Sequence, residues 1–252
     1  MNRFIINADD CGKSIEVNLA IKNCIEAGLI TSTTIMANMG DFDGALSLYH
    51  DYSDRISFGF HLDLDEGEPV IKNDLLVERA FYKIEKGKMV MAVPNFRKPI
   101  DKIIRDAIYH EMEAQLTKLF DNGIEVSHID SHHHLHTSPF ILPLVAKLAK
   151  KYGIKHIRSI RNYYPMSFNK CLRFGWKVYA KLLYPGCGMT QYFCSATEYV
   201  QSDFRVQDKL IELMCHPGHP KKMFVDEINL LESFINNHHS EIELVSYRDG
   251  FQ

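Results

Sequence analysis

Phe4-Ile5-Ile6-Asn7-Ala8-Asp9-Asp10-Cys11-Gly12-Lys13-Ser14 runs from an apolar segment into an acidic pair and on to a residue that caps helices. The apolar segment reads as a strand. Ser14 can accept an N–H from the turn that follows, and Val17, Ala20, Ile21, Cys24 and Ile25 recur on one helical face, with Gly28 suited to the helix end. A strand followed at once by a helix is the repeating unit of α/β folds. Asp9 and Asp10 stand at the mouth of the strand, where neighbouring carboxylates repel unless a cation or a shared proton holds them.

The same alternation continues outward from this stretch. Thr31 to Ala37 is β-branched and strand-like, Phe42, Ala45, Leu46 and Tyr49 mark a short helix, and Ile56 to Leu62 is a strand placing His61 opposite Phe58, Phe60 and Leu62. Residues 65–99, interrupted by Gly67, Pro69, Gly87, Pro94 and Pro99, read as a long loop excursion of the kind that serves as a lid or binding loop. Ile103 to Leu119 form an amphipathic helix closed by Asn122-Gly123, and Ile124 to Asp130 a strand. Ser138-Pro139 starts another helix that stops at Gly153, and His156 to Ile160 is the next strand. Residues 162–200, which hold the only tryptophan, Trp176, read as an irregular or helical insertion. Ile211 to His216, Asp226 to Asn236 and Leu244 to Tyr247 complete the pattern as strand, helix and strand.

The 252 residues form one domain on this reading, and 46% hydrophobic content suffices for its core. A net charge of −3 without a basic stripe argues against nucleic acid as a partner. Only Met1, Asn2 and Arg3 precede the first strand, and no stretch approaches the roughly 18 apolar residues of a membrane span, so a cytoplasmic protein without a membrane partner is expected. The six cysteines show no C-x-x-C spacing and read as reduced, mostly structural thiols.

Chemistry concentrates at strand ends. His128-Ile-Asp130-Ser-His132-His133-His134-Leu-His136 puts five of thirteen histidines into nine positions, a density that signals metal binding. His61 and His216 lie near two further strand ends. Each histidine alone reads as a core or loop residue, but four polar clusters at strand ends point to one shared mouth. Two imidazoles and one carboxylate leave coordination positions open for water and substrate; a spare aspartate can then take a proton, and His216 can protonate a leaving group. Neither G-x-G-x-x-G nor a P-loop is present, which favours hydrolysis over redox or phosphoryl transfer. Asp130 is expected to orient a ligand histidine, the alternative being a turn cap. His134 and His136 are candidates to line a substrate site, and Arg158 either orients Asp9, binds substrate or makes a structural ion pair. Tyr163, Tyr164, Phe168 and Trp176 could stack on a sugar ring or fill a local core.

In order, Asn7-Ala-Asp-Asp-Cys-Gly12, Thr31-Ser-Thr-Thr34, Gly59-Phe-His-Leu62, His128 to His136, Met214-Cys-His-Pro-Gly218 and the closing Ser246-Tyr-Arg-Asp249 resemble the YdjC/ChbG-like carbohydrate deacetylases over nearly the whole chain. The resemblance implies a TIM-like, distorted (β/α)-barrel related to the polysaccharide deacetylases, with Asp10, His61 and His132 as metal ligands, Asp9 as general base and His216 as general acid. It further implies a divalent metal, Mg2+ or Zn2+, and an N-acetylated amino sugar or chitooligosaccharide as substrate. Cys11 replaces the family's aromatic residue, and Asp63 and Asp65 replace neutral polar ones, adding negative charge beside the mouth. Alternatives are another metallohydrolase acting on a phosphorylated or modified sugar, or a carbohydrate- or metal-sensing module without turnover. A homo-oligomer packed through residues 65–99 is compatible with the sequence.

Overall fold

In the computed structural model, β1 (Asn2–Cys11) is buried from Phe4 onward and runs through the middle of a parallel sheet. The structure describes residues 1–79, 81–86, 88–91, 100–163, 170–203, 205–220 and 222–251, with backbone alone at 88, 170, 172 and 222–225. β1 hands over to α1 (Ile15–Glu26), whose cap Ser14 accepts from Val17 N at 3.3 Å. Beyond the helix, Gly28 takes φ +71 so that Leu29 N can reach back to Cys24 O at 2.9 Å.

β2 (Ser32–Ile35), α2 (Phe42–Tyr52) and β3 (Ser57–Leu62) repeat the unit. All six residues of β3 are buried, because a parallel sheet is covered on both faces. The excursion after β3 carries α3 (Asp74–Glu78) and the hairpin β4 (Tyr82–Glu85) with β5 (Lys88–Met91); Pro94 and Pro99 lie outside the described residues. Its first part is tied to α4 (Lys102–Asp121), where the Glu111 carboxylate accepts from Val70 N and Ile71 N at 2.9 and 2.7 Å.

β6 (Ile129–Ser131) extends the sheet, and α5 (Leu142–Tyr152) ends at Gly153 with φ +71. The expected strand from Ile124 is shortened to three residues. The next expected strand, at 156–160, survives as single bridges: Ile129 N donates to His156 O at 3.0 Å, Arg158 N to Ile129 O at 2.9 Å, and Ile157 N to Gly188 O at 3.1 Å. The insertion expected at 162–200 requires correction. It contains α6 (Lys170–Leu183), β7 (Tyr192–Ser195) and α7 (Ala196–Gln201), and β7 is a full member of the sheet. Four residues are too few to show a periodicity.

β8 (Leu210–Cys215), α8 (Lys222–His238) and β9 (Ile242–Leu244) complete the chain, β9 pairing with the start of β1. The order β6-β3-β2-β1-β8-β7 forms a curled parallel sheet. Its ladders bring the carboxyl ends of β1, β3, β6 and β8 to one side, since all of these pairings are parallel. Among the described residues, no helix is long and apolar enough to cross a membrane.

Candidate active site

Asp9 and Asp10 diverge because the backbone turns sharply between them and Gly12. Asp10 adopts φ +69, a left-handed conformation that costs a non-glycine residue energy. Asp9 then faces Arg158, and Asp10 faces His61 and His132. His133 and His134, with φ +46 and +57, are likewise left-handed. All three strained residues line one cavity.

That cavity has a volume of about 500 Å³ and is lined by Asp9, Asp10, Lys13, His61, Asp65, Glu66, Ser131, His132, His133, His134, His216 and His219. Asp10 Oδ1 lies 3.3 Å from His61 Nε2 and 4.0 Å from His132 Nε2. The opposite nitrogens are engaged: His61 Nδ1 is 2.7 Å from Asp130 Oδ1, and His132 Nδ1 is 2.8 Å from Asp65 Oδ1. Carboxylates accept only, so each Nδ1 carries a hydrogen and each Nε2 is turned toward Asp10. This is the orientation that metal-ligating histidines require.

Among the described residues two sets of donors come within 4.8 Å of one another, Asp9–His61–Asp130 and Asp65–His132–His133, and either could hold a metal ion. In the first set both carboxylates are already bound by Arg158, and in the second Asp65 already receives both imidazoles. Asp10, by comparison, meets His61, His132 and Lys13 at 3.3, 4.0 and 3.6 Å. A cation suits the position electrostatically: the Lys13 ammonium lies 3.6 Å from Asp10 Oδ2 and 3.4 Å from His132 Nε2. Burial opposes a charge on His61, yet Asp130, Asp10 and Asp9 raise its pKa well above the ordinary value. Positive charge is therefore wanted between these groups.

Behind the cavity Arg158 is fully buried and all three of its nitrogens are engaged. Its two terminal nitrogens donate to Asp9 Oδ2 and Oδ1, both at 2.7 Å, Nε donates to Glu212 Oε1 at 2.7 Å, and Nη1 lies 2.6 Å from Asp130 Oδ2. Tyr247 donates its hydroxyl to Glu212 Oε2 at 2.6 Å. Burial alone would raise the Asp9 pKa, but Arg158 overrides it and holds the carboxyl well below the usual range. Asn7 Nδ2 adds a hydrogen bond to Asp9 Oδ1 at 2.8 Å.

His216 lines the cavity with its Nδ1 3.4 Å from Glu227 Oε2, which also accepts the His216 backbone N–H at 3.1 Å. Burial works against its charge, while Glu227, Asp9 and Asp10 raise its pKa. His134 reaches the cavity as a neutral ring, its pKa pushed down to about 3 by burial and by Arg158.

Other candidates lie elsewhere. His136 is fully buried against Ser131 Oγ at 2.7 Å and does not line the cavity, so it is not placed to touch substrate. His128 stacks on Tyr247, with ring centres 3.6 Å apart, in space left by Gly59, where a Cβ would come within 2.4 Å of the imidazole. Tyr163 packs with Tyr199, and Trp176 with Leu142 and Ala180, its indole donating to Thr137 O. Neither lines the cavity; Tyr164 and Phe168 lie outside the described residues. Cys11 is buried beside Asn18, its thiol pushed up to about 12 by burial. Lys13, Glu66, Glu212, Glu227 and His219 were not distinguished by the sequence. Only Glu212 carried a signal, as a charge inside the apolar strand Ile211-Glu-Leu-Met-Cys215.

Buried carboxylates and imidazoles that could hold a metal ion, gathered at the ends of parallel strands, define a candidate metallohydrolase site. The chain belongs to the YdjC-like protein family, whose model matches residues 3–249. It is 28% identical over 248 residues to a carbohydrate deacetylase of Halalkalibacterium halodurans, covering 97% of this chain and 95% of that protein. A carbohydrate deacetylase of Geobacillus stearothermophilus is 32% identical over 216 residues, 85% of this chain and 79% of the relative. In fold the chain is similar to the crystal structure of a putative cellobiose-phosphate cleavage protein from Enterococcus faecalis, with TM-score 0.72, 20% identity and 98% of each chain covered.

Proposed function

We propose that this protein is a metal-dependent carbohydrate N-deacetylase that hydrolyses the acetamide of N-acetylated amino sugars such as chitooligosaccharides. The observation that carries the reading is the arrangement of Asp10, His61 and His132, whose two Nδ1 atoms are occupied by Asp130 and Asp65 so that both Nε2 atoms turn to Asp10. A divalent ion held there would supply Lewis acidity to water and to the acetyl carbonyl. Two imidazoles favour zinc on ligand softness, with magnesium the alternative.

Asp9 accepts the proton of the attacking water as the oxygen–carbon bond forms. Oδ2 retains a lone pair beyond its Arg158 contact, Oδ1 being shared by Arg158 and Asn7, and Arg158 keeps the carboxylate ionised and aimed. His216 delivers a proton to the amine nitrogen as the carbon–nitrogen bond breaks, leaving acetate and a free amino sugar. Its tether to Glu227 favours the protonated form needed for that step. Neutral His134, on the cavity wall, would contact sugar hydroxyls. Around this site we read the curled sheet, bridged from β6 through Ile157 and His156 to Gly188 and joined to β7 where Asn162 N donates to Phe193 O, as a distorted (β/α)-barrel forming one cytoplasmic domain.

The decisive assay incubates the zinc- or magnesium-loaded protein with N-acetylglucosamine oligomers of increasing length and scores acetate, phosphate and ammonia. Acetate release abolished by chelation and restored by metal is expected. Phosphate or ammonia from modified sugars without acetate would replace the reading with a different metallohydrolase, and metal and sugar binding without any product would point to a sensing module.

A further inference from the structure

Lys13 is the only lysine or arginine among the described residues lining the cavity. It leaves the turn between β1 and α1, where its N–H donates to Asp10 O at 3.1 Å and the neighbouring Ser14 caps the helix, so its backbone is fixed at the mouth. The Nζ atom lies 2.7 Å from Glu66 Oε2, 3.4 Å from His132 Nε2 and 3.6 Å from Asp10 Oδ2, and the side chain is only 20% exposed. Arg158 cannot serve the same purpose, since its nitrogens are spent on Asp9, Asp130 and Glu212 behind the cavity wall.

On the deacetylase reading, which it presupposes, we propose that Lys13 is a catalytic residue whose ammonium donates a hydrogen bond to the acetyl carbonyl oxygen as negative charge develops there. An ammonium within contact distance of two of the three candidate ligands is within reach of any acetyl group that those ligands help to activate. Glu66 holds it on the cavity side rather than in bulk water. No proton is transferred: Lys13 keeps its charge through the cycle, the attacking water loses its proton to Asp9, and the amine gains one from His216. The bland account, that Lys13 only balances Asp10 and Glu66, makes different predictions.

The test compares wild type, Lys13→Met and Lys13→Arg. Loss of one preorganised donor to the carbonyl oxygen lowers kcat for acetate release by about 10²–10³-fold in Lys13→Met, with little change in KM. Zinc affinity, measured by calorimetry, is not weakened, because removing a positive charge beside the ligands cannot loosen a cation. Zinc-loaded wild type binds sodium acetate, and Lys13→Met binds it about tenfold more weakly, as expected for a lost charge-assisted hydrogen bond. Lys13→Arg, which keeps a cationic donor, recovers part of both. An unchanged kcat, unchanged acetate binding, or loss of zinc in step with kcat in Lys13→Met overturns the proposal alone. A wild type that releases no acetate from any amino sugar overturns the deacetylase reading and this proposal together.

Discussion

Adjacent residues, Asp9 and Asp10, begin two charge clusters of opposite character. From Asp9 the contacts run inward to Arg158, Asp130, Glu212 and Tyr247, a buried network in which the guanidinium is shared by three carboxylates. From Asp10 they run to His61, His132 and Lys13 at 3.3, 4.0 and 3.6 Å, longer than good hydrogen bonds and open to the cavity. Beyond Asp9 the inner cluster is closed off from the cavity by its own contacts; the outer one lines the cavity and includes the left-handed Asp10. Fully paired buried networks hold a structure in place, whereas strained residues facing a cavity cluster at functional sites. Asp130 joins the two, receiving Arg158 on one oxygen and His61 on the other.

Asp9 is the sharpest test of the boundary, because it belongs to the inner cluster by contact and to the cavity by exposure. Asp9→Asn is expected to lower kcat for acetate release by about 10²–10⁴-fold. Asn keeps one acceptor for Arg158 but turns its NH2 toward the other guanidinium N–H, so the unfolding midpoint should fall as well, while metal content should be that of wild type. Activity that survives this substitution would sink the assignment of Asp9 as base.

Arg158→Met attacks the inner cluster itself. It leaves Asp9, Asp130 and Glu212 buried without their counter-charge and should cost about 3–5 kcal/mol in urea unfolding. An unfolding midpoint equal to that of wild type would show that the cluster is not a structural brace. Asp65→Asn attacks the outer cluster through a carboxylate that holds His132 Nδ1 at 2.8 Å and His133 Nδ1 at 2.7 Å. Zinc affinity should fall about 10–100-fold, the usual effect of losing the partner that orients a ligand histidine. Equal zinc affinity in Asp65→Asn and wild type would remove His132 from the cradle.

The two clusters also differ in how far they can be seen from the sequence. Ser14, Gly28 and Gly153 announce helix boundaries locally, and Asp9, Asp10, His61 and His132 stand out because charge or imidazole follows an apolar run. Arg158 is legible as one that could orient Asp9, 149 positions away, but nothing announces Asp130 or Glu212, 54 positions away, as its other partners. β7 is hidden because four residues lack a period, whereas the 156–160 strand is legible but pairs only through single bridges, one of them to Gly188. The left-handed His133 and His134 break the expectation that such backbone belongs to glycine or asparagine. Tertiary packing decides all of these, through groups brought together only once the sheet has curled.

The smallest expected effect is a shift in a pH profile, and it separates charge from geometry at His216. Burial lowers the pKa of this imidazole, but Glu227, Asp9 and Asp10 outweigh it and the pKa is raised. A general acid must be protonated, so kcat/KM for acetate release should fall as pH rises through that raised pKa. Glu227→Gln removes the nearest negative charge while its amide oxygen can still accept the His216 backbone N–H, now received at 3.1 Å. The histidine should therefore keep its place and lose part of its proton affinity, moving the alkaline limb to lower pH without moving the acid limb. An alkaline limb that stays put would detach His216 from the proton delivered to the amine, whereas a uniform loss at every pH would mean that Glu227 acts by position rather than by charge.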